Sequence, residues 1–244
     1  MLLDALKDIV KHTHSLGFIE TVKVMGTSTD AKIETKDIDN TVIIYGTMYQ
    51  PIKGLESTIG LSRMAVLKGC MGLHEKSSMS VTTDVRNGIA VPTDLVFDDN
   101  DGFVSTYRFM SESMINEQVK VPPFKGAVWD INIVPTKKSI DLLNNNSGIY
   151  GAQEKRFTVS VDTKQRLNFN IGSGPTDKAV VPFATSVTGN LKHQWTYPLS
   201  QVLSILKLTE TATATMSFSD MGALKIEIDS GIGKYSYILP AGKA

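Results

Sequence analysis

Cysteine is almost absent from this sequence: Cys70 is the one cysteine among 244 residues. No disulfide can form within the chain, so a reducing, intracellular compartment is expected. The sequence also lacks any apolar run near the roughly 20 residues that a membrane-spanning helix needs. The first residues, MLLDALKDIVKHTHSLG, carry charges throughout and lack the apolar core of a secretory signal. We therefore expect a soluble cytoplasmic protein with no membrane partner.

Net charge is absent as well, because 25 Lys and Arg balance 25 Asp and Glu. Proteins that grip nucleic acid over their outer surface are usually strongly basic. Any contact with nucleic acid must therefore come from local segregation of charge. Hydrophobic residues make up 41% of the chain and charged residues 20%, which is enough apolar material for a folded core.

Motifs for catalysis and metal binding are missing too. His12 and His14 are two positions apart on a predicted helix and point in different directions, which favours a surface role over a metal site. The segment GSGPTDK at 172–178 lacks the spacing and the Lys-Ser/Thr pair of a phosphate loop and is interpreted as a turn. We expect no enzyme, no cofactor and no metal, although a site assembled in space stays open.

What the chain does contain is two kinds of hydrophobic periodicity. Helical spacing predicts helices over about 2–16, 57–70, 137–146 and 198–208, with Thr136 as the N-cap of the third and Gly148 as its end. Alternating runs such as VKVMG, AKIET, FTVSVD and ALKIEID predict strands between them. The fold class is therefore α+β.

One stretch, 111–125, interrupts this rhythm. It is polar and ends in Pro122-Pro123, and neither a helix nor a central strand can run through that pair. We predict an N-terminal domain over 1–112, a connector over 113–126 and a C-terminal domain over 127–244.

The two halves repeat the same order of elements. LSRMAVLKG, beginning at Leu61, matches LSQVLSILK, beginning at Leu199; SMSVTTD and TMSFSD follow them, and then GIAV and ALKI. DIVKHTHSLGFI near residue 8 and SIDLLNNNSGIY near residue 139 form a second pair. Two helices and the strands after them, matched in order, indicate a duplicated domain.

Over nearly its whole length the sequence resembles the sliding-clamp family, the PCNA-type and bacteriophage clamps. The most specific match is the tail, SFSDMGALKIEIDSGIGKYSYILPAG, which is similar to the Tyr-rich final strands and Leu-Pro-Ala-like ending of clamps. QVKVPP resembles part of the clamp interdomain connector, and IGLSRMAVLKG resembles the second helix of the first domain. The first domain's strands share little beyond pattern, the connector is short and an acidic tail is missing. These departures favour a phage or viral clamp, which would act in the host cytoplasm.

The resemblance implies two duplicated clamp-type domains, each with two helices on an antiparallel β-sheet. Six such domains close a ring, so a two-domain chain would form a homotrimer. The implied function is a processivity factor that encircles duplex DNA without sequence specificity and tethers the replicative DNA polymerase, with a clamp loader as a further partner. The main alternative is a β-rich virion or tail structural protein that forms homo-oligomers; a lipid- or ligand-binding module is a second.

In clamps the helices line the hole, which implies basic side chains on their outer faces. The candidates for DNA contact are Lys7, Lys11 and His14 on the first helix, Arg63 and Lys68 on the second, Lys137 and Lys138 on the third, and Lys207 on the fourth. The ordinary alternative is that these are solvated faces of amphipathic helices. Phosphate contacts of this kind are independent of sequence and easily exchanged, as sliding requires.

Clamps also bind partner peptides in a pocket between the connector and the last strand. The matching positions are Val119, Val121 and Pro122 of the connector and Ile238, Leu239 and Pro240 of the tail. Buried apolar anchors dominate binding of this kind. These residues could equally seal the domain junction, and both roles can hold together.

Overall fold

The computed structural model describes residues 2–74, 77–86, 88–99, 101–172, 177–210 and 213–243. Most of the segment 172–178, predicted to be a turn, lies outside these residues. The chain forms two compact units: one holds residues 1–38, 43–122 and 230–235, and the other holds 39–42, 123–229 and 236–244. One of the points at which the chain passes from the first unit to the second lies between Pro122 and Pro123. No helix in the described part of the chain is long and apolar enough to cross a membrane.

The first unit combines three helices with two antiparallel sheets. Its elements are α1 (Leu2–His12), β1 (Val22–Gly26), β2 (Ala31–Lys36), β3 (Ile43–Met48), β4 (Thr58–Leu61), α2 (Met64–Leu73), β5 (Ser78–Arg86), β6 (Ile89–Asp98), β7 (Val104–Arg108) and α3 (Glu112–Gln118). Four strands of a larger sheet pair in the order β4-β1-β2-β3, and a separate three-stranded sheet has the order β5-β6-β7.

Helix α1 forms because its apolar residues recur at helical spacing. Leu6 and Ile9 are fully buried, whereas Lys7 and Lys11 are exposed on the opposite side. A short 3-10 turn, His14–Leu16, follows, and Gly17 ends it in the left-handed conformation with a φ of 88°. The helix packs against α2.

The second predicted helix begins later than its sequence indicated. Residues Thr58–Leu61 form strand β4, which pairs with β1, and the helix covers only Met64–Leu73. Gly60 allows the close approach here, because a Cβ at this position would lie 2.8 Å from the Ile115 side chain. Pairing with β1 overrides the helical spacing of these apolar residues.

The polar segment before the proline pair contains an unpredicted helix, α3. Only Ile115 on this seven-residue helix is buried, so its sequence carries almost no apolar periodicity. The helix ends at Gln118. It stops before Val121, whose position directly ahead of Pro122 disfavours a helical backbone.

The second unit repeats the combination of helices and antiparallel sheets. Its elements are β8 (Ile131–Ile133), α4 (Lys137–Tyr150), β9 (Arg156–Val161), β10 (Leu167–Ile171), β11 (Ala179–Ala184), β12 (Trp195–Pro198), α5 (Leu199–Leu206), β13 (Thr213–Ser219), β14 (Ala223–Asp229), β15 (Gly233–Pro240), which begins in the first unit, and β16 (Gly242–Lys243). One sheet has the order β11-β10-β9-β12-β16, and β13 pairs with both β8 and β14.

The predicted N-cap of α4 is confirmed. Thr136 Oγ1 accepts a hydrogen bond from the Ser139 backbone N–H at 3.1 Å, and the Thr136 N–H donates to Ser139 Oγ at 3.0 Å. This reciprocal pair is a capping box, which satisfies amides at the start of the helix. The predicted end was wrong, because α4 continues through Gly148 to Tyr150.

Strand β11 was not predicted from the sequence. It contains Pro182, which lacks a backbone donor and is tolerated on an edge strand, and β11 is an edge of its sheet. Its Phe183 joins an aromatic core, in which the ring of Phe169 lies 4.2 Å from Phe183 and 4.5 Å from Phe157 between centroids.

Candidate functional site

The candidate DNA-contacting residues of the first unit lie on or next to its two packed helices, α1 and α2. Lys7 and Lys11 are exposed one turn apart on α1. Lys68 of α2 is also exposed, and its Nζ lies 3.4 Å from Ser15 Oγ, in the 3-10 turn that follows α1. These side chains therefore lie on one exposed surface, the helical layer formed by α1, the 3-10 turn and α2.

His14 and Arg63 occupy less regular positions in that layer. His14 lies in the 3-10 turn and is half-buried, and its Nδ1 is 3.1 Å from the Ile19 carbonyl oxygen. Arg63 is exposed at the N-cap of α2 with a φ of 51°, in the left-handed region. The backbone contact of His14 leaves it less available for a ligand than the lysines.

The candidate DNA-contacting residues of the second unit also lie on or next to a pair of packed helices, α4 and α5. Lys137 and Lys138 are exposed in the first turn of α4, and Lys137 Nζ pairs with Asp141 at 3.2 Å. Lys207 is exposed in the 3-10 turn that follows α5. Lys137 and Lys207 line one groove of about 580 Å³, whose floor includes Leu203.

Beneath the exposed face of α1 lies a buried polar cluster. Asp8 Oδ2 accepts hydrogen bonds from the Tyr235 hydroxyl at 2.8 Å and the Ser230 hydroxyl at 3.0 Å. The His12 ring stacks on Tyr235, with centroids 4.2 Å apart. The cluster fixes α1 to a segment more than 200 residues later in the chain, and this positions Lys7 and Lys11.

Burial controls the charge of this cluster. It raises the pKa of Asp8, against the lowering effect of the Tyr235 and Ser230 hydrogen bonds. Burial also lowers the pKa of His12 from 6.5 to about 4, helped by the nearby positive charge of Lys11. The distance of 3.7 Å from His12 Nε2 to Asp8 Oδ1 is too long for a strong hydrogen bond. His12 is therefore neutral at pH 7.

Acidification should destabilise the fold through His12. The stabilisation of the folded state by neutral His12 is fully present above the unfolded pKa of 6.5. This stabilisation is lost as the pH falls towards the folded pKa of about 4. Between pH 7 and pH 5 this loss amounts to about 2 kcal/mol, which the raised pKa of Asp8 partly offsets. Urea denaturation at both pH values should show the loss, and His12→Phe, which keeps a ring on Tyr235, should reduce it. Equal pH dependence in both proteins would contradict this assignment.

The connector residues of the candidate partner site lie in the first unit. Val119 is buried, Val121 is half-buried and Pro122 is exposed. The Tyr45 hydroxyl donates a hydrogen bond of 2.5 Å to the Pro122 carbonyl oxygen, which ties the connector to β3. Burial, and next the negative charge of Glu34, raises the pKa of the Tyr45 phenol, so it remains a donor.

Val119 also borders a groove of about 370 Å³ that was not predicted from the sequence. Phe18 and Ile38 line it together with polar residues of β2 and α3, and Ile38 is 93% exposed. An isoleucine within the polar turn KDIDN was the one sequence signal for it.

The tail residues of the candidate partner site lie in the second unit. Ile238 is 5% exposed, Leu239 is fully buried and Pro240 is exposed. The burial of the first two supports the packing role that the sequence left open. Of the three tail residues, Pro240 alone has an exposed side chain.

Metal chemistry has no evident location in the described residues. His12 is buried, and no group of three or more His, Cys, Asp and Glu side chains there could hold a metal ion. His193 instead pairs with Asp220 at 3.0 Å. Backbone hydrogen bonds from His193 and Lys192, together with the His193 side chain, lower the pKa of Asp220. These bonds hold a surface loop against the β13–β14 turn.

The sequence matches no protein-family model and no curated protein. Solved structures do match over the full chain. The complex "C-terminal region of FEN-1 bound to A. fulgidus PCNA" is similar with a TM-score of 0.70 and 13% identity, covering 100% of this chain and 97% of that one. PCNA from Thermococcus kodakaraensis has a TM-score of 0.69 and 9% identity, covering 97% of each chain.

The chain has the fold of PCNA. Proliferating Cellular Nuclear Antigen from Entamoeba histolytica agrees, with a TM-score of 0.67 and 11% identity over 98% of this chain and 96% of that one. The predicted α+β class and clamp-type domains are confirmed, and the first unit has the short helix α3 in addition to the predicted pair of helices. Identities of 9% to 13% establish the PCNA fold alone.

Proposed function

We propose that this chain is a sliding clamp that encircles duplex DNA and tethers a DNA polymerase. In this proposal residues 1–112 and 127–244 are the two clamp domains, 113–126 is the connector, and three chains close the ring. The observation that carries it is the pair of packed helices in each unit. Each pair has exposed basic side chains and lies within a PCNA fold that spans the whole chain. A net charge of zero is compatible with DNA contact, because exposed basic side chains on these helices can act locally.

Retention on DNA would come from ring closure, and the basic side chains would supply only weak, exchangeable phosphate contacts. Such a protein needs no catalytic group, and we propose that it is a scaffold without enzymatic activity. A virion or tail structural protein is less favoured, because a PCNA fold spans the whole chain. We also propose a clamp loader as a partner, and the host cytoplasm as the location if the chain is phage-encoded.

Free sheet edges support the proposed ring. Strand β7 ends the three-stranded sheet of the first unit, and β11 ends the five-stranded sheet of the second. Val104 on β7 is 52% exposed and Val180 on β11 is 61% exposed. Exposed apolar edges readily pair with another chain, and pairing two different edges head to tail closes a ring when the rotation allows.

For partner recognition we propose the connector groove. Its apolar residues Phe18, Ile38 and Val119 stand beside charged Glu20 and Lys36, which suits a short peptide with apolar anchors and polar flanks. The neighbouring PCNA of A. fulgidus is described as bound to the C-terminal region of FEN-1. We propose a comparable peptide from the polymerase as the ligand here.

Native mass spectrometry with negative-stain imaging tests the ring. We expect a mass of three chains and particles with a central hole wide enough for duplex DNA. A monomer without a ring would overturn the proposal.

A matched pair of variants locates the subunit interface. Val180→Asp places a charge on the β11 edge and should shift the trimer to monomers. Val128→Asp is the control, because Val128 is similarly exposed, at 68%, and lies outside the strands. Trimers that tolerate the first change, or that dissociate with the second, would place the interface elsewhere.

A further inference from the structure

The exposed stripe of α4 is rich in amides. Asn144 and Asn145 are exposed seven positions after Lys137 and Lys138, so each lies two turns further along the same helical face. Asn146 is turned back on the helix, where its amide donates to the Leu142 carbonyl oxygen at 2.8 Å. Within the described part of the chain, the side-chain amides of Asn144 and Asn145 make no hydrogen bond.

Local helix stability does not account for these residues. Asparagine is a poor helix former, because its amide competes for backbone hydrogen bonds, yet three occur in succession inside a helix of 14 residues. Apolar packing does not require Asn144 and Asn145 either, since both are exposed. A local rule broken without a packing gain is typical of functional surfaces.

The charge of this stripe is also low. Lys137 is paired with Asp141 at 3.2 Å, so part of its positive charge is compensated. The α4 stripe therefore presents neutral amide donors, Asn144 and Asn145, beside a lysine whose charge is partly compensated.

Side-chain amides are suitable donors to phosphate oxygens. Seven residues of helix span about 10 Å, which is about three base-pair steps of duplex DNA. The lysines at the start of α4 and the amides further along it could therefore contact different phosphates. Because the amides are neutral, their contacts would release no counterions.

We infer that Asn144 and Asn145 form an uncharged phosphate-contacting element on α4, beside the lysines. This inference rests on the proposed function, in which α4 faces DNA. It adds two residues to the candidate DNA surface and assigns them a distinct signature: they strengthen binding without adding to its salt dependence.

Salt-dependent binding tests the inference. The probe is a short, fluorescently labelled linear duplex, whose ends allow a ring to thread, titrated at several salt concentrations from about 50 to 200 mM. For the double variant Asn144→Ala/Asn145→Ala we expect Kd to rise about three- to tenfold at every salt concentration, with an unchanged salt slope. Lys137→Gln/Lys138→Gln should instead reduce the slope, by about 0.9 for each phosphate that is no longer neutralised.

Two controls distinguish misfolding from weaker phosphate binding. Alanine is a better helix former than asparagine, so the double variant should have a thermal midpoint at or above that of the unaltered protein. Asn116→Ala makes the same change on α3, where Asn116 is exposed outside the candidate DNA surface, and should leave Kd unchanged.

The possible failures are distinguishable. If the unaltered protein binds the duplex and the double alanine variant binds equally well, this inference alone is overturned. The same holds if the double variant lowers the salt slope as the lysine variant does. If the unaltered protein does not bind the duplex at all, the proposed function fails and the inference fails with it.

Discussion

Reversing the charge of Lys7, Lys11, Arg63 and Lys137 to glutamate should abolish the stimulation of polymerase processivity. All four side chains are exposed on the helical layers, so the substitutions should leave the fold and the trimer intact. Each one replaces an attraction for phosphate by a repulsion within the proposed hole, where three chains repeat it. The measurement is product length on primed circular DNA, with native mass spectrometry to verify the trimer.

A control with the same change in charge separates location from net charge. It uses exposed lysines that lie outside the helices, namely Lys32, Lys53, Lys164 and Lys192. Their reversal to glutamate should leave most of the stimulation in place. Full stimulation by the helix variant, or equal loss in both variants, would refute a DNA-facing helical layer.

Truncating Leu239 to alanine should destabilise the folded protein by about 2–5 kcal/mol, because a fully buried leucine loses packing and leaves a cavity. Leu239 was proposed from sequence as part of a partner pocket, yet its side chain is 0% exposed. The stability loss should therefore precede any loss of partner binding. Guanidinium denaturation of the variant measures it.

Leu73→Ala is the matched control for this prediction. Leu73 lies on α2 and is 74% exposed, so the same truncation should change the free energy of unfolding by less than about 0.5 kcal/mol. If Leu239→Ala were as stable as Leu73→Ala and lost polymerase binding instead, the side chain would belong to the pocket and not to the core.

The sequence predicted only some of the residues of the candidate partner site. Val119, Val121 and Pro122 were named from a resemblance in the connector, and the structure places Val119 beside a groove. Phe18 and Ile38, which also line that groove, were not predicted, because residues so far apart in sequence share no local pattern. The role of all these residues in partner binding stays a prediction.

The ends of the helices also show what local sequence patterns predict and what they miss. The spacing of Leu6 and Ile9 predicted α1, because a helix that packs on a core repeats apolar residues every three or four positions. The same reasoning extended the second helix over Thr58–Leu61, where pairing with β1 makes a strand. It found no helix in 112–118, where one buried residue suffices.

By itself the sequence determined the α+β class, most helices and strands, and the duplication, because these follow from local periodicity and from order along the chain. Only the tertiary structure decided that Leu239 is buried and that Asp8 bonds to Tyr235. It also decided that Asn144 and Asn145 are exposed and, within the described part of the chain, make no packing contact that requires them. Periodicity reports that a side chain is on an apolar or polar face, whereas the partner of that face depends on contacts between distant segments.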